Sequence, residues 1–155
     1  IGQGFDLAIR LGKLEDSSLS AKRLAQRQQY VCASPRYLQR HGTPHTLGEL
    51  KQHNCLLGTL DYWRFNQSGK EKNVRVSGSM RLNSGLGLLD ASLKGLGVVQ
   101  LPDYYAKEYL KTGELVSVLD DYREPGEGIW AVYPSNRHLS PKVRLLVDYL
   151  AEQLT

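Results

Sequence analysis

The chain has 155 residues, of which 41% are hydrophobic and 23% are charged, and its formal net charge is +4. This composition is that of one globular domain or of two small lobes sharing a linker. It contains no run of 18 apolar residues and does not start like a signal peptide, so we exclude a membrane span and expect a soluble protein without a membrane partner. The alternative that the chain was trimmed and has lost an export signal is left open by the sequence.

Basic and acidic residues are mixed along the chain, with 20 Lys and Arg among 16 Asp and Glu. The densest basic segment, residues 22–27, has the alternation of a strand, so a solvated face is favoured over nucleic-acid contact. Cys32 and Cys55 each lie in an apolar run, where cysteine behaves as a small hydrophobic residue. We therefore expect reduced thiols and a cytoplasmic protein.

Apolar runs of strand length alternate with amphipathic stretches, which predicts an α/β fold with a parallel or mixed sheet. In the first third we expect a strand at residues 7–9, a polar loop at 13–18 and extended chain over 19–33. Ser34 and Pro35 predict a helix start, and Gly42 predicts its end. Thr46 and Glu49 have capping-box spacing, which predicts a helical turn or two over 47–52.

A strand at residues 55–57 and a hairpin around Ser68-Gly69, with strands at 63–67 and 73–76, are expected next. Asn83 and Ser84 predict a helix start, followed by apolar positions at Leu86, Leu89 and Leu93, an end at Gly95 and a strand at 97–101.

Pro102 and Asp103 open another predicted helix, which runs to about Leu110. The last third predicts a strand at 115–119, a turn at 125–128 and a strand at 129–133. Ser140 and Pro141 start the closing helix. Its predicted apolar stripe consists of Val143, Leu146, Val147, Leu150 and Leu154.

Five runs, in this order and spacing, resemble one protein family. They are residues 5–10 (FDLAIR), 32–38 (CASPRYL), 63–65 (WRF), 95–102 (GLGVVQLP) and 133–144 (YPSNRHLSPKVR). Through these five runs, the chain resembles the effector-binding domain of LysR-type bacterial transcriptional regulators. The resemblance covers nearly the whole chain.

The resemblance implies a periplasmic-binding-protein-like fold of two α/β lobes with mixed sheets, joined by two crossing strands at residues 27–33 and 128–133. Residues 1–25 and 127–155 would form the first lobe, incomplete at its N-terminus, and residues 26–126 the second. A small-molecule effector would bind in the cleft between the lobes. DNA would be bound through an N-terminal helix-turn-helix domain that is absent from this chain.

The family also implies a homodimer or homotetramer, with the helix at residues 84–94 as the second-lobe contact. A solute-binding protein of the same architecture, serving a transporter, is the alternative. A third interpretation is a regulator that only oligomerises. A helix-turn-helix upstream would indicate the regulator, and a signal peptide the solute-binding protein.

Candidate effector-binding residues follow from position in the family. Arg10 could hold a carboxylate by two parallel hydrogen bonds, or form an ion pair with Asp6 or Asp16. Asn83 and Ser84 lie at a helix N-terminus, which favours an anion, or they simply cap the helix. Arg10 and Asn83, together with the aromatic loop at residues 59–63, favour a small organic acid or an aromatic compound as the effector.

Aromatic and polar residues complete the candidate site. Thr59, Asp61, Tyr62 and Trp63 correspond to a cleft-facing loop, although Trp63 could equally belong to the core. Successive side chains of a strand alternate, so one of Ile129 and Trp130 should face the cleft.

An enzyme is not expected. His41, His45, His53 and Cys55 match no zinc spacing, so we predict no metal site. The glycine pairs 85/87 and 95/97 lack the third glycine of a dinucleotide fingerprint, and no nucleophile elbow occurs. We therefore predict no catalytic residue and no cofactor.

Overall fold

The computed structural model describes residues 8–11, 19–134 and 140–154. It has two compact units, one assembled from Ile1–Arg27 and Gly126–Thr155 and the other from Gln28–Pro125. The predicted loop at 13–18 lies outside the described residues. Each unit combines strands and helices, so the predicted α/β class is confirmed.

The described residues form strands, α-helices and two short 3₁₀ segments. The strands are β1 (Ala8–Leu11), β2 (Leu19–Arg27), β3 (Gln29–Ala33), β4 (Tyr62–Gln67), β5 (Lys70–Arg75), β6 (Val99–Pro102), β7 (Val116–Val118) and β8 (Glu127–Pro134). The helices are α1 (Pro35–His41), α2 (Gly85–Leu93), α3 (Asp103–Thr112) and α4 (Pro141–Leu154), with 3₁₀ turns at Leu47–Gln52 and Asp120–Tyr122.

In the first unit, β8 lies between β1 and β2 and pairs antiparallel with both. The predicted turn at 125–128 is wrong in its second half, because β8 already begins at Glu127, which pairs with Arg27. The predicted crossing strand at 128–133 is therefore part of β8 and lies within this unit, just after the chain enters it at Gly126.

Helix α4 covers the first-unit sheet with a narrower face than predicted. Val147 is 1% exposed and packs with Leu24 and Ile129, and Val143 and Leu150 pack against the same cluster. Leu146 is 47% exposed, so its predicted place in the buried stripe is wrong. The positions 143, 147 and 150 follow one helical face, and residue 146 lies beside that face. The side chain of Leu154 lies outside the described part.

The second unit has a sheet in the order β6-β3-β7, with antiparallel pairs. Residues 55–57 extend it without forming a regular strand, because they make two isolated parallel bridges, Cys55 with Val98 and Leu57 with Arg81. Leu56 N donates to Val98 O at 2.8 Å across the first of these contacts. The predicted mixed sheet is thus confirmed, and the predicted strand at 55–57 is reduced to single bridges.

The predicted helix starts in the second unit are confirmed. Ser34 Oγ accepts from Tyr37 N at 3.1 Å, and α1 ends at Gly42, whose φ is +85°. Thr46 Oγ1 accepts from Glu49 N at 3.3 Å, while the Glu49 carboxylate accepts from His45 N at 3.3 Å. The reciprocal bond therefore goes to the residue before the cap, a variant of the predicted capping box.

The hairpin prediction is confirmed in position and extended in length. Ser68 and Gly69 have φ values of +54° and +80°, as a two-residue turn with both central residues left-handed requires. Strand β5 begins directly after this turn, at Lys70, and ends at Arg75. In α2, Leu88 and Leu89 are buried, whereas Leu86, one of the three apolar positions at helical spacing, is 65% exposed.

Candidate functional site

Five of the predicted effector-binding residues lie in or directly after two segments that leave one edge of the second unit: Thr59, Asp61, Tyr62, Asn83 and Ser84. Leu57 and Arg81 form a parallel bridge, with Leu57 N donating to Met80 O at 3.0 Å and Leu82 N donating to Leu57 O at 2.8 Å. Because parallel segments leave a sheet at the same end, the loop 58–61 and the start of α2 emerge side by side. This carboxyl-end edge is where ligands bind in open α/β sheets.

Arg81 holds the loop 58–61 in place through hydrogen bonds of its side chain. Its Nη1 donates to Gly58 O at 2.9 Å, and its Nη2 donates to Asp61 Oδ1. Arg75 Nη2 lies 3.8 Å from the other oxygen of the same carboxylate. Val76 N also donates to Asp61 O at 3.0 Å, so the end of the loop is held by both backbone and side chain.

The charge of this edge is positive. The hydrogen bond and charge of Arg81 hold the pKa of Asp61 below its usual range, with a smaller contribution from Arg75. Asp61 is therefore ionised at neutral pH, and one carboxylate faces two guanidinium groups. The remaining positive charge favours an anion over a cation as the ligand of this edge.

The start of α2 shows the capping role that the sequence left open. Ser84 Oγ accepts from Gly87 N at 3.2 Å, which satisfies one of the free amide groups of the helix. Asn83 and Ser84 are both exposed. Gly85 packs so tightly on the ring of Tyr105 that an added Cβ would come within 2.3 Å of it, so a larger residue would force one of the two to move.

The aromatic residues of the hairpin separate into two roles. Trp63 is 5% exposed and lies in the core cluster with Phe65 and Val76, so its side chain belongs to the core, the alternative that the sequence had left open. Tyr62 is half-buried, follows Asp61 directly and pairs with Arg75 across the hairpin. Of the two residues, Tyr62 is therefore the one accessible to a ligand.

The strand β8 places Ile129 and Trp130 on opposite faces. Ile129 is 3% exposed and belongs to the core of the first unit, so Trp130, which is half-buried, faces the other way. The backbone of Arg10 is paired with Trp130, and Arg23 is paired with Trp130 from the other side. The side chain of Arg10 lies outside the described part.

Three polar residues that sequence analysis did not single out organise the second unit. Asn54 Nδ2 donates to Ser79 Oγ at 2.9 Å and to Leu96 O at 2.8 Å, while its Oδ1 accepts from Ser79 N at 2.7 Å. Arg81 and Gln100 act similarly. Their partners are far along the chain, and no local pattern indicates them.

The histidines form an aromatic group around Tyr37. The ring of His41 stacks on Tyr37 at 4.6 Å, and Tyr37 Oη lies 2.8 Å from His53 Nδ1. Within the described ranges, no group of three or more His, Cys, Asp or Glu is placed to hold a metal ion. No helix there is long and apolar enough to cross a membrane.

A cavity of about 240 Å³ lies elsewhere in the second unit, between the loop after α1 and the residues around β7. Thr43, Pro44 and His45 form one wall, and residues 116–122 form the other. None of the predicted effector-binding residues lines this cavity.

The whole chain, residues 1–155, matches the family described as the LysR substrate binding domain. The chain belongs to this family. It is 35% identical over 147 residues to an HTH-type transcriptional regulator of Haemophilus influenzae, covering 92% of this chain and 51% of that protein. It is 33% identical over 159 residues to the probable HTH-type transcriptional regulator LtrA of Klebsiella pneumoniae, covering 98% and 52%.

Solved structures of LysR regulatory domains have the same fold. The regulatory domain of AphB from Vibrio vulnificus superposes with a TM-score of 0.79 at 31% identity, over 96% of this chain and 75% of that one. The regulatory domain of CrgA from Neisseria meningitidis gives 0.68 at 32% identity, over 97% and 76%. The chain spans about half the length of the curated relatives it matches, and both of these relatives are HTH-type transcriptional regulators.

Proposed function

We propose that this LysR domain senses a small organic acid or aromatic compound and thereby controls DNA binding by a separate helix-turn-helix domain. The observation that carries the proposal is the family match over all 155 residues. An effector can shift the regulator only by as much as its affinity differs between two states of the protein. The cytoplasmic location implied by the family belongs to the same proposal.

The effector site is proposed from the predicted residues that remain accessible. In the second unit these are Thr59, Asp61, Tyr62, Asn83 and Ser84, which are exposed or half-buried at the edge where the loop 58–61 and α2 begin. In the first unit the proposal keeps Trp130, which is half-buried, and Arg10, whose backbone pairs with Trp130 in the sheet. Trp63 and Ile129 are omitted because their side chains are buried in the two cores.

The two units also fit the proposed domain organisation. We propose that residues 1–25 and 127–155 belong to the first lobe of the family and 26–126 to the second.

For assembly into a homodimer or homotetramer we propose the outer face of α2. That face exposes Leu86 and carries the exposed ion pair of Asp90 Oδ2 with Lys94 Nζ at 2.8 Å, a combination of apolar and charged groups typical of interface rims.

A transporter-associated solute-binding protein of the same fold is the weaker candidate, since the relatives found are transcriptional regulators. A regulator that only oligomerises is compatible with the same relatives. These two interpretations differ from the proposed sensor in whether a ligand binds and whether its binding alters DNA binding, so the test must combine the two measurements.

The test is a thermal-unfolding screen of the domain against small carboxylates, amino acids and aromatic metabolites. A ligand at 100 times its dissociation constant adds about 2.7 kcal/mol and raises the midpoint by several degrees. We expect at least one compound to do so, and we expect that compound to alter DNA binding by the complete regulator. If no compound of the panel raises the midpoint of a folded sample, oligomerisation remains as the function of the domain.

A further inference from the structure

We propose that Arg81 holds the carboxylate of the effector and that Asp61 occupies this position in the free domain. The inference rests on the proposed function, which it deepens by naming the binding group and its resident counter-ion. Asp61, which the sequence suggested as an effector contact, becomes an intramolecular substitute for the effector. All groups concerned belong to the second unit.

The first observation is the position of Arg81. It forms an isolated parallel bridge with Leu57, so it lies where the loop 58–61 and the segment leading to Ser84 diverge. The side chain is 49% exposed, and its bonds to described residues engage two of its five N–H groups. A planar guanidinium with free donors at a ligand-accessible edge matches the geometry of a carboxylate.

The second observation is that Asp61 already shows how a carboxylate is held there. Its Oδ1 accepts from Arg81, its Oδ2 lies near Arg75, and its side chain is about half exposed. An exposed ion pair of this kind is worth little in water, so exchange of Asp61 for another carboxylate costs little. The bond from Arg81 to Gly58 O is independent of Asp61 and keeps the guanidinium in place during the exchange.

The third observation concerns the rest of the ligand. Leu60 precedes Asp61 and is an exposed large hydrophobic residue. Tyr62, half-buried, follows Asp61. A carboxylate that takes the place of Asp61 would therefore bind beside a loop that carries an exposed leucine and a half-buried tyrosine, which favours an acid with an apolar or aromatic body over a highly hydroxylated one.

The test compares two carboxylate probes, sodium benzoate and sodium succinate, with benzamide, the uncharged counterpart of benzoate, at matched ionic strength. Binding to the 155-residue chain is measured by titration calorimetry and by the unfolding midpoint. We expect the wild type to bind benzoate at least about tenfold more tightly than benzamide, because a charge-assisted bidentate pair is lost in the amide.

Two variants identify the group that holds the probe. Asp61→Asn removes the competing carboxylate and should tighten benzoate binding by roughly threefold to tenfold, a gain that misfolding cannot produce. Arg81→Ala should abolish the preference for benzoate over benzamide, and Arg81→Lys should keep part of it. Arg75→Ala is the matched control, because it removes the same charge from a mostly exposed side chain 3.8 Å from Asp61, and it should weaken benzoate binding but keep the preference for benzoate over benzamide.

Three outcomes would overturn the inference. They are equal binding of benzoate and benzamide, unchanged carboxylate binding in Arg81→Ala, and no binding of either carboxylate probe to Asp61→Asn. An uncharged effector found in the wider screen would then leave the proposed sensing function intact while removing Arg81 from it.

Discussion

The side-chain amide of Gln100 bridges the backbone of Arg64. Its Oε1 accepts from Arg64 N at 3.3 Å, and its Nε2 donates to Arg64 O at 2.9 Å. Gln100 belongs to β6 and Arg64 to β4, so one side chain takes the place of a strand between the sheet and the hairpin. This arrangement satisfies two backbone groups that β5, on the other side of β4, cannot reach.

We expect Gln100→Glu to loosen the hairpin, because the carboxylate cannot donate to Arg64 O and repels it. The free energy of unfolding should fall by about 1–2 kcal/mol, measured by denaturant unfolding, and amide exchange in β4 should accelerate. Gln67→Glu is the control, since Gln67 is exposed and bonded to Lys72 at 3.1 Å. Equal effects of both variants would assign no special role to the bridge.

The packing face of α4 can be tested with two apolar residues of the same helix. Val147→Ala should lower the free energy of unfolding by about 1–3 kcal/mol, because it opens a cavity in the core of the first unit. Leu145→Ala should change it by less than about 0.5 kcal/mol, because Leu145 is exposed. The reverse order of the two values would show that α4 packs through a different face.

Acidification should destabilise the second unit through His53. Burial, and then the charge of His41, lower the pKa of His53 from its ordinary value near 6.5, although Glu49 opposes this. The unfolded chain therefore binds this proton more tightly than the folded one. The contribution of His53 to stability is complete above pH 6.5 and is lost as the pH falls through 6.5 toward the lower folded pKa.

The measurement is the unfolding midpoint between pH 7.5 and pH 5. His53→Gln, which can keep a hydrogen bond to Tyr37, should flatten the decline on the acid side. His45→Gln is the control, because His45 is exposed. A decline of unchanged steepness in His53→Gln would assign the acid sensitivity to other groups.

The two thiols should be inert in the folded domain. Cys32 and Cys55 are completely buried, and burial raises the pKa of each to about 12. The reactive thiolate is therefore almost absent at pH 8. Ellman's reagent should label neither cysteine in the native state and both in guanidinium chloride. Rapid labelling of one thiol in the native state would reveal a local opening around it.

Local signals in the sequence predicted the ends of the elements well. Ser34, Thr46, Ser84 and Ser140 all cap helical segments through their side-chain oxygens. A cap needs only a suitable side chain two or three residues before an amide group, so a short window of sequence contains the whole interaction. The turn at Ser68-Gly69 was predictable for the same reason.

The candidate site was predictable as a set of segments but not as a set of contacts. The partnership of Arg81 with Asp61 depends on the bridge between Leu57 and Arg81, which joins residues far apart in the chain. The exposure of Leu86 was not predictable, because apolar spacing gives the face of a helix without saying how wide the buried face is. Trp63 became core through the register of the hairpin, which pairs it with Val74.

The pairing of β2 with β8 joins Arg27 to Glu127 and Leu19 to Pro134, about a hundred residues apart, whereas the second unit is one continuous segment. Contacts of such long sequence separation carry a large loop-closure entropy and form slowly. During synthesis, Gln28–Pro125 can fold as soon as it has left the ribosome, while β1 and β2 must wait for the end of the chain. The ordering of the second unit brings the two ends of the first unit together and so shortens the loop that the first unit has to close.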